Sequence, residues 1–309
     1  MSVVLAKTNE ISREEWLKQR QKGIGGSDAA AILGINPWRS PIQVYMEKIG
    51  EIDPPPENEA MYWGTRLEEV VAEEFSKRTG LKIRRRNAIL QHPGHPWMIA
   101  NVDRLIVGKK EGLECKTTNE FAKGEWEGDE VPAPYLIQCQ HYMAVTGYDA
   151  WWIAVLIGGN KFVYKKINRD EELIEYIIEA EKAFWENHVV PRVPPGFDGS
   201  DASAELLKKL YPEAEPESET ELPGEACRLV EALDKINAEL KELEELKKEY
   251  ENTLKAMLGE FERGIAGDRI VTWKTVESKR LDTKRFRKDH PELFEEYAKT
   301  TKYRRFQIS

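Results

Sequence analysis

With 309 residues, 40% of them apolar, the chain can fill one large domain, or a core domain with an appendage. No run reaches the roughly 18 apolar residues of a membrane span, which excludes a transmembrane helix, and Met1 to Glu10 lacks the apolar stretch of a secretory signal. Three widely spaced cysteines without a CxxC pair exclude a disulfide scaffold, and a net charge of −9 weighs against a simple DNA-coating protein. The charge is uneven: residues 201–262 carry 18 acids against 8 Lys or Arg, whereas residues 263–309 carry 13 Lys or Arg against 7 acids. A nucleic-acid substrate therefore stays open.

Ser12 and Glu15 have capping-box spacing and start a short helix that ends near Gly23. Gly23-Ile24-Gly25-Gly26 makes a turn, after which Ser27 or Asp28 can cap the next helix. Free amides at that helix start, with Arg20 above them, could hold a phosphate; Ser27 reads equally as an ordinary N-cap. Asn36-Pro37-Trp38 breaks the chain, Ser40-Pro41 opens a helix to Ile49, and Pro54-Pro55-Pro56 marks a loop. Apolar residues at helical spacing predict a helix from Glu59 to Thr79, stopped by Gly80, with Glu68 at the edge of its buried face.

Lys82 to Leu90 predicts a strand whose Arg84-Arg85-Arg86 run could meet phosphates or form an exposed edge. His92-Pro93-Gly94-His95-Pro96 reads as a turn and not as a zinc site. Asn101 to Val107 and Leu113 to Thr117 predict two strands of a hairpin. Alternation puts Glu114 and Lys116 on one face, where they converge with Asp103. Unpaired charge in a core is costly, and a divalent cation is one remedy. Asp103, Glu114 and the carbonyl of Cys115 are hard oxygen donors of the kind Mg²⁺ prefers, and Lys116 could orient or deprotonate an attacking water. The same residues also fit a solvated face with a surface ion pair.

Asn119 to Pro134, with Trp126, predicts a mobile flap. The helix from Ala133 to Thr146 would turn Gln138, His141 and Tyr142 toward the acids while Leu136, Cys139 and Met143 pack inward. Strands from Trp151 to Ile157 and Lys161 to Ile167, then a helix from Asp170 to His188, complete an α/β sandwich around a mixed sheet.

Pro191 to Pro223 reads as a linker around a helix at Ala202 to Leu210. Leu229, Leu233, Ile236, Leu240, Leu243, Lys247, Tyr250, Leu254 and Met257 then alternate steps of four and three, a coiled-coil seam on a helix of roughly 50 Å. The seam suits self-association or packing on the chain's own domain. The basic end predicts a strand (Ile270 to Glu277), two helices from Asp282, and a last strand (Tyr303 to Ile308), either a DNA-guiding module or a structural cap. The expected domains are residues 1–192, a linker at 193–222, the long helix at 223–260 and a small α+β module at 261–309.

Asp103, then Glu114-Cys115-Lys116, then a helix with Gln138-Cys139-Gln140, resembles the PD-(D/E)XK nuclease core. Arg20 to Asp28, Trp63-Gly64-Thr65-Arg66-Leu67-Glu68 and Tyr135 to Gln140 further resemble the YqaJ-type viral recombinases related to phage lambda exonuclease. The resemblance spans roughly residues 10 to 190, and it departs in one place, where Val102 stands before Asp103 instead of proline. It implies a restriction-endonuclease-like mixed sheet flanked by helices. It also implies that Glu68, Asp103, Glu114 and the Cys115 carbonyl bind two Mg²⁺ ions, or Mn²⁺. Lys116 would position and activate water with support from Gln138, and Arg20 with Ser27 would hold a DNA 5′ phosphate. The implied activity is a 5′-to-3′ exonuclease on linear duplex DNA in the cytoplasm of a bacterial or phage-infected cell. It would release 5′-mononucleotides and leave 3′ single strands for recombination. A toroidal trimer and a single-strand annealing protein would be its partners. An endonuclease with the same metal site, or a non-catalytic DNA-binding assembly protein, are the alternatives.

Overall fold

A computed structural model describes residues 2–54 and 56–308; Met1, Ser309 and Pro55 of the expected proline loop lie outside the described residues. The chain divides into two compact units, Met1–Leu210 and Tyr211–Ser309.

The first unit is built on a five-stranded sheet. Its strands are β2 (Ile83–Arg85), β5 (Arg104–Ile106), β6 (Glu111–Thr118), β7 (Ala150–Ile157) and β8 (Lys161–Asn168), in the order β2-β5-β6-β7-β8. Only β6 and β7 run parallel, so the sheet is mixed. A parallel pair needs a crossover, and helix α5 (Ala133–Thr146) supplies it. β7 reads as a continuous apolar run because it is covered on both faces. Trp151, Ile153 and Val155 face α5, whereas Trp152, Ala154 and Leu156 face α4 (Glu59–Thr79), which seats Val71, Ala72 and Phe75 against them. Gly112 is required here, since a Cβ at that position would come within 2.3 Å of the Trp151 ring.

A second, antiparallel sheet joins β1 (Val3–Ala6), β3 (Ile89–Gln91) and β4 (Ile99–Asn101). Two stretches expected as single strands are thereby split. Lys82 to Leu90 gives β2 to the large sheet and β3 to the small one. Asn101 to Val107 is likewise broken at Val102 and Asp103, where the chain passes from β4 in the small sheet to β5 in the large one. Val102 is buried at this crossing and packs in the core.

Helices α1 (Arg13–Gln21) and α2 (Gly26–Ile32) follow the N-terminal strand, and α1 carries the expected Ser12–Glu15 capping box. Helix α3 (Pro41–Ile49) ends at Gly50 with φ +78, a left-handed stop that suits glycine. Trp126, expected on a mobile flap, closes a 3₁₀ turn over Glu120–Trp126 and is buried against Tyr135, with rings stacked 5.5 Å apart. A large aromatic beside an apolar wall gains more from burial than a loop gains from its freedom. After α6 (Glu171–Phe184) the helix α7 (Asp201–Leu210), expected within a linker, buries Ala202 and packs Leu206 in one cluster with Ile42 and Tyr45. The first compact unit therefore extends through Leu210.

In the second unit the helix α8 (Glu225–Leu258) spans 34 residues and leaves Leu229, Ile236, Leu240, Leu243 and Met257 exposed along its seam. β9 (Arg263–Ala266) and β10 (Arg269–Thr272) form a hairpin that turns at Gly267, φ +64. Its first strand was not anticipated, and the expected strand at Ile270 to Glu277 is shortened to β10. Helices α9 (Thr283–Asp289) and α10 (Pro291–Tyr297) follow, and Tyr303 to Ile308 is not a strand: no described residue pairs with it.

No helix among the described residues is long and apolar enough to cross a membrane.

Candidate active site

The site forms where the β5–β6 ladder stops. Pairing runs through Leu105↔Gly112 and Arg104↔Leu113 and then ends, because the chain leaves for the small sheet at Asp103. The Asp103 carboxylate takes over where a backbone partner would stand: its Oδ2 accepts from the Cys115 amide at 2.9 Å. Glu114 and Lys116 lie on either side of that amide, on the α5 face of β6, and Lys116 Nζ is 2.6 Å from Glu114 Oε1. Gln138, on α5, donates to the same Oε1 at 2.8 Å and to the Tyr142 hydroxyl at 2.8 Å. The structure brings Asp103, Glu114, Lys116 and Gln138 together.

The charges are unevenly satisfied. Glu114 is buried, and its Oε2 has no hydrogen-bond partner. Burial, followed by the neighbouring Glu114 and Glu68 charges, pushes the Asp103 carboxyl well above its usual range. For Lys116 burial alone would lower the pKa, but Glu114 and Asp103 outweigh it and hold the ammonium above its ordinary value. Lys116 is therefore a cation here, with 25% of its side chain open to solvent.

Glu68 belongs to the other layer. It sits on α4, and its Oε1 is 2.5 Å from Arg104 Nη1, while Arg104 Nη2 reaches Glu69 at 2.9 Å. Arg104 is buried and also donates to the Asp103 carbonyl at 2.9 Å, so it ties α4 to the rim of the site. Among the described residues, no three Asp, Glu, His or Cys side chains are drawn into a ready metal cluster. Arg104 escaped sequence reasoning because a three-residue strand carries too little alternation to show which way it points.

Arg20 and Ser27 are brought together, Arg20 Nη2 lying 3.4 Å from Ser27 Oγ. Beneath them Asp28 is fully buried, and its side chain closes the start of α2 by accepting from the Gly25 amide at 3.0 Å. Three cations surround it: Arg39 at 2.5 Å, Lys48 at 2.6 Å and Arg20 at 3.5 Å. Burial alone would raise the Asp28 carboxyl, but Lys48, Arg39 and Arg20 hold it well below the usual range. Lys48 and Arg39 were missed. Lys48 follows Tyr45 by three residues on the buried side of α3, and a cation at such a position signals a buried acid nearby. Gly26 sets this motif directly on α5, since a Cβ there would come within 2.6 Å of the Tyr142 ring.

His141, expected to face the acids, points the other way. Its Nδ1 is 2.7 Å from Glu181 Oε1 on α6 and its Nε2 is 2.9 Å from the Ile99 carbonyl, so it braces α5 against α6 and β4. His92 Nδ1 accepts from the amides of Gly94 and His95, both at 3.0 Å, and closes its own turn.

Comparison with known proteins adds to this geometry. The YqaJ-like viral recombinase domain matches residues 15–149, a span that includes every residue named above in contact with Asp103 or Asp28. The YqaJ protein of Bacillus subtilis (strain 168) is 45% identical over 308 residues, 99% of this chain and 97% of that protein. A protein of Acanthamoeba polyphaga mimivirus is 26% identical over 153 residues, 45% of this chain and 28% of its own length. Among solved structures, the alkaline exonuclease LHK-Exo of Laribacter hongkongensis has a similar fold, with a TM-score of 0.50, 19% identity, and coverage of 64% of this chain and 100% of that one. Its complex with dAMP gives a TM-score of 0.51 at 22% identity, over 64% of this chain and 97% of that one. The chain thus shares its fold, a mixed sheet flanked by helices, with that alkaline exonuclease over 64% of its length, and by its near full-length relative it belongs to the YqaJ-like viral recombinase family.

Proposed function

We propose that this protein is a divalent-metal-dependent deoxyribonuclease, a 5′-to-3′ exonuclease that enters linear duplex DNA at a 5′ phosphate and leaves 3′ single strands for homologous recombination. The observation that carries the reading is the buried, unpartnered Oε2 of Glu114 beside Asp103 and Lys116. A structural ion pair would satisfy that oxygen, whereas a hard cation requires it free. The donor set fits Mg²⁺ or Mn²⁺: Asp103, Glu114 and the Cys115 carbonyl would hold the first ion. Glu68, now paired with Arg104, would be the further carboxylate for a second. When bound, such ions neutralise charge on the phosphate and make water a stronger nucleophile.

The chain's own residues supply the rest. Lys116, a cation held by Glu114, donates hydrogen bonds to the attacking water and to the phosphate oxygens. Gln138 fixes the Glu114 carboxylate so that its second oxygen stays aimed into the site. Arg20 and Ser27, with the amides that open α2, would grip the 5′ phosphate and set which bond is cut. Water then attacks the next phosphorus, the bond to the leaving 3′ oxygen breaks, and a 5′-mononucleotide departs. The fold likeness to an exonuclease, one of whose structures holds dAMP, supports the reading. The exposed seam of α8 supports a homo-oligomer, and a single-strand annealing protein would act on the product strand.

Digestion of linear duplex in Mg²⁺ tests this directly, with 5′-phosphorylated, 5′-hydroxyl and closed circular DNA compared beside Lys116→Ala. Loss of the linear forms alone, fastest with a 5′ phosphate and abolished by Lys116→Ala, is expected. Cutting of the circle would instead make the protein an endonuclease with the same site.

A further inference from the structure

We infer that Trp38 is a substrate-binding residue that stacks on the base of the 5′-terminal nucleotide, the one whose phosphate Arg20 and Ser27 would hold; the inference rests on the nuclease reading above. Trp38 is 65% exposed, although burying an indole is among the larger gains a fold can make. An exposed tryptophan alone says little. This one is held in place from both sides.

On one side its backbone is fixed by Asn36, whose Oδ1 accepts from the amides of Trp38 at 2.8 Å and Arg39 at 3.1 Å. The next residue, Arg39, then bridges Asp28 and Glu47, each at 2.5 Å. Asp28 Oδ1 also lies 3.5 Å from Arg20 Nη2, so the tryptophan is tied through one arginine and one acid to the proposed phosphate clamp. On the other side the Trp38 ring lies 6.4 Å from the ring of Tyr135, tilted by 38°. Tyr135 in turn has Lys116 Nζ 5.5 Å from its centroid and Trp126 stacked beneath it. Trp38 is therefore linked on one side to the group that would hold the terminal phosphate and on the other, through Tyr135, to the lysine that would act at the next one. The nucleotide spanning those two points must put its base somewhere, and the indole is the large apolar surface offered there. Stacking suits an enzyme that removes nucleotides in succession, because every base has a π face and none is preferred by hydrogen bonding.

The test uses the full chain and two linear duplexes with 5′ phosphates, one ending in an ordinary nucleotide and one in an abasic tetrahydrofuran residue. Release of the first nucleotide is timed for wild type, Trp38→Ala and Trp38→Phe, and binding of both ends is measured in the absence of divalent ions. Wild type should favour the base-bearing end by about tenfold, the order expected for one stacked base. In Trp38→Ala that preference should collapse to about one, and Trp38→Phe should keep most of it. A preference that survives Trp38→Ala, or is missing from wild type while DNA is still cut, overturns the stacking role and leaves the nuclease standing. Base-dependent binding that Trp38→Ala removes, without any cleavage by wild type, supports the stacking role and overturns the nuclease.

Discussion

Asp103 accepts a hydrogen bond from the amide of Cys115 at 2.9 Å, so an acid outside the strand completes the ladder between Glu114 and Lys116. This contact commits one carboxylate oxygen to the backbone and holds the other beside the Glu114 and Lys116 side chains. Asp103→Asn keeps an acceptor for the Cys115 amide and removes the charge. It should lower DNA cleavage by roughly 100- to 1000-fold, the order seen when one preorganised electrostatic group is lost. Thermal denaturation of the variant should match or exceed wild type, since a carboxyl raised by burial and like charges is released from that strain.

Asp28 tests a different link, that between buried charge and stability. Asp28→Asn leaves Lys48 in the interior without its acid and Arg39 with Glu47 alone, and should destabilise the first unit by about 3–5 kcal/mol in urea unfolding. Adding Lys48→Met should recover part of that loss, because one of the stranded charges is then gone.

Gly26→Ala should cost about 1–3 kcal/mol, since the added methyl meets the Tyr142 ring at 2.6 Å and α2 and α5 cannot both keep their places. Tyr142 also accepts from Gln138, so cleavage should fall together with stability. An unchanged melting temperature would show that the two helices are less closely set than described.

His92 gives the chain a pH dependence of known sign. Burial, then the neighbouring His95, lower its pKa from 6.5 to about 4, and its neutral Nδ1 accepts two amides that an imidazolium could not. The unfolded chain therefore binds this proton more readily. Stability from His92 is complete above pH 6.5 and is lost as the pH falls toward 4. Melting curves should show wild type losing more stability over that window than His92→Asn, whose side-chain oxygen still accepts the amides.

Leu206→Ala probes where the first unit ends. If α7 belongs to its core, the substitution should cost about 2 kcal/mol, and a chain stopping at Pro191 should melt below one stopping at Leu210.

Much of this was legible in the sequence because its signals are local. The capping pair Ser12–Glu15, the glycine stop after α4, and the period of α8 each fix a helix from a few neighbouring residues. Glu114 and Lys116 were legible for the same reason, as alternation along eight residues of β6 leaves them one choice of face. What escaped depended on partners far along the chain. Arg104 finds Glu68 and Glu69 more than thirty positions away, and His141 finds Glu181 forty positions on. Helical spacing alone put His141 beside Gln138, and only the position of α6 turned it away from the acids. The sheet change at Asp103 left no mark in the sequence either, because Val102 and Leu105 are apolar as an unbroken strand would require.

That sheet change has a consequence for how the protein can vary. The turn from Val107 to Lys110 is exposed and joins two strands already paired, so residues added there lengthen a loop and leave the acids where they are. Residues added or removed between Asn101 and Arg104 would rotate Asp103 away from the Cys115 amide while both sheets stayed intact. Length is therefore free on one side of β5 and fixed on the other, and the fold could outlive the chemistry through a change of a single residue.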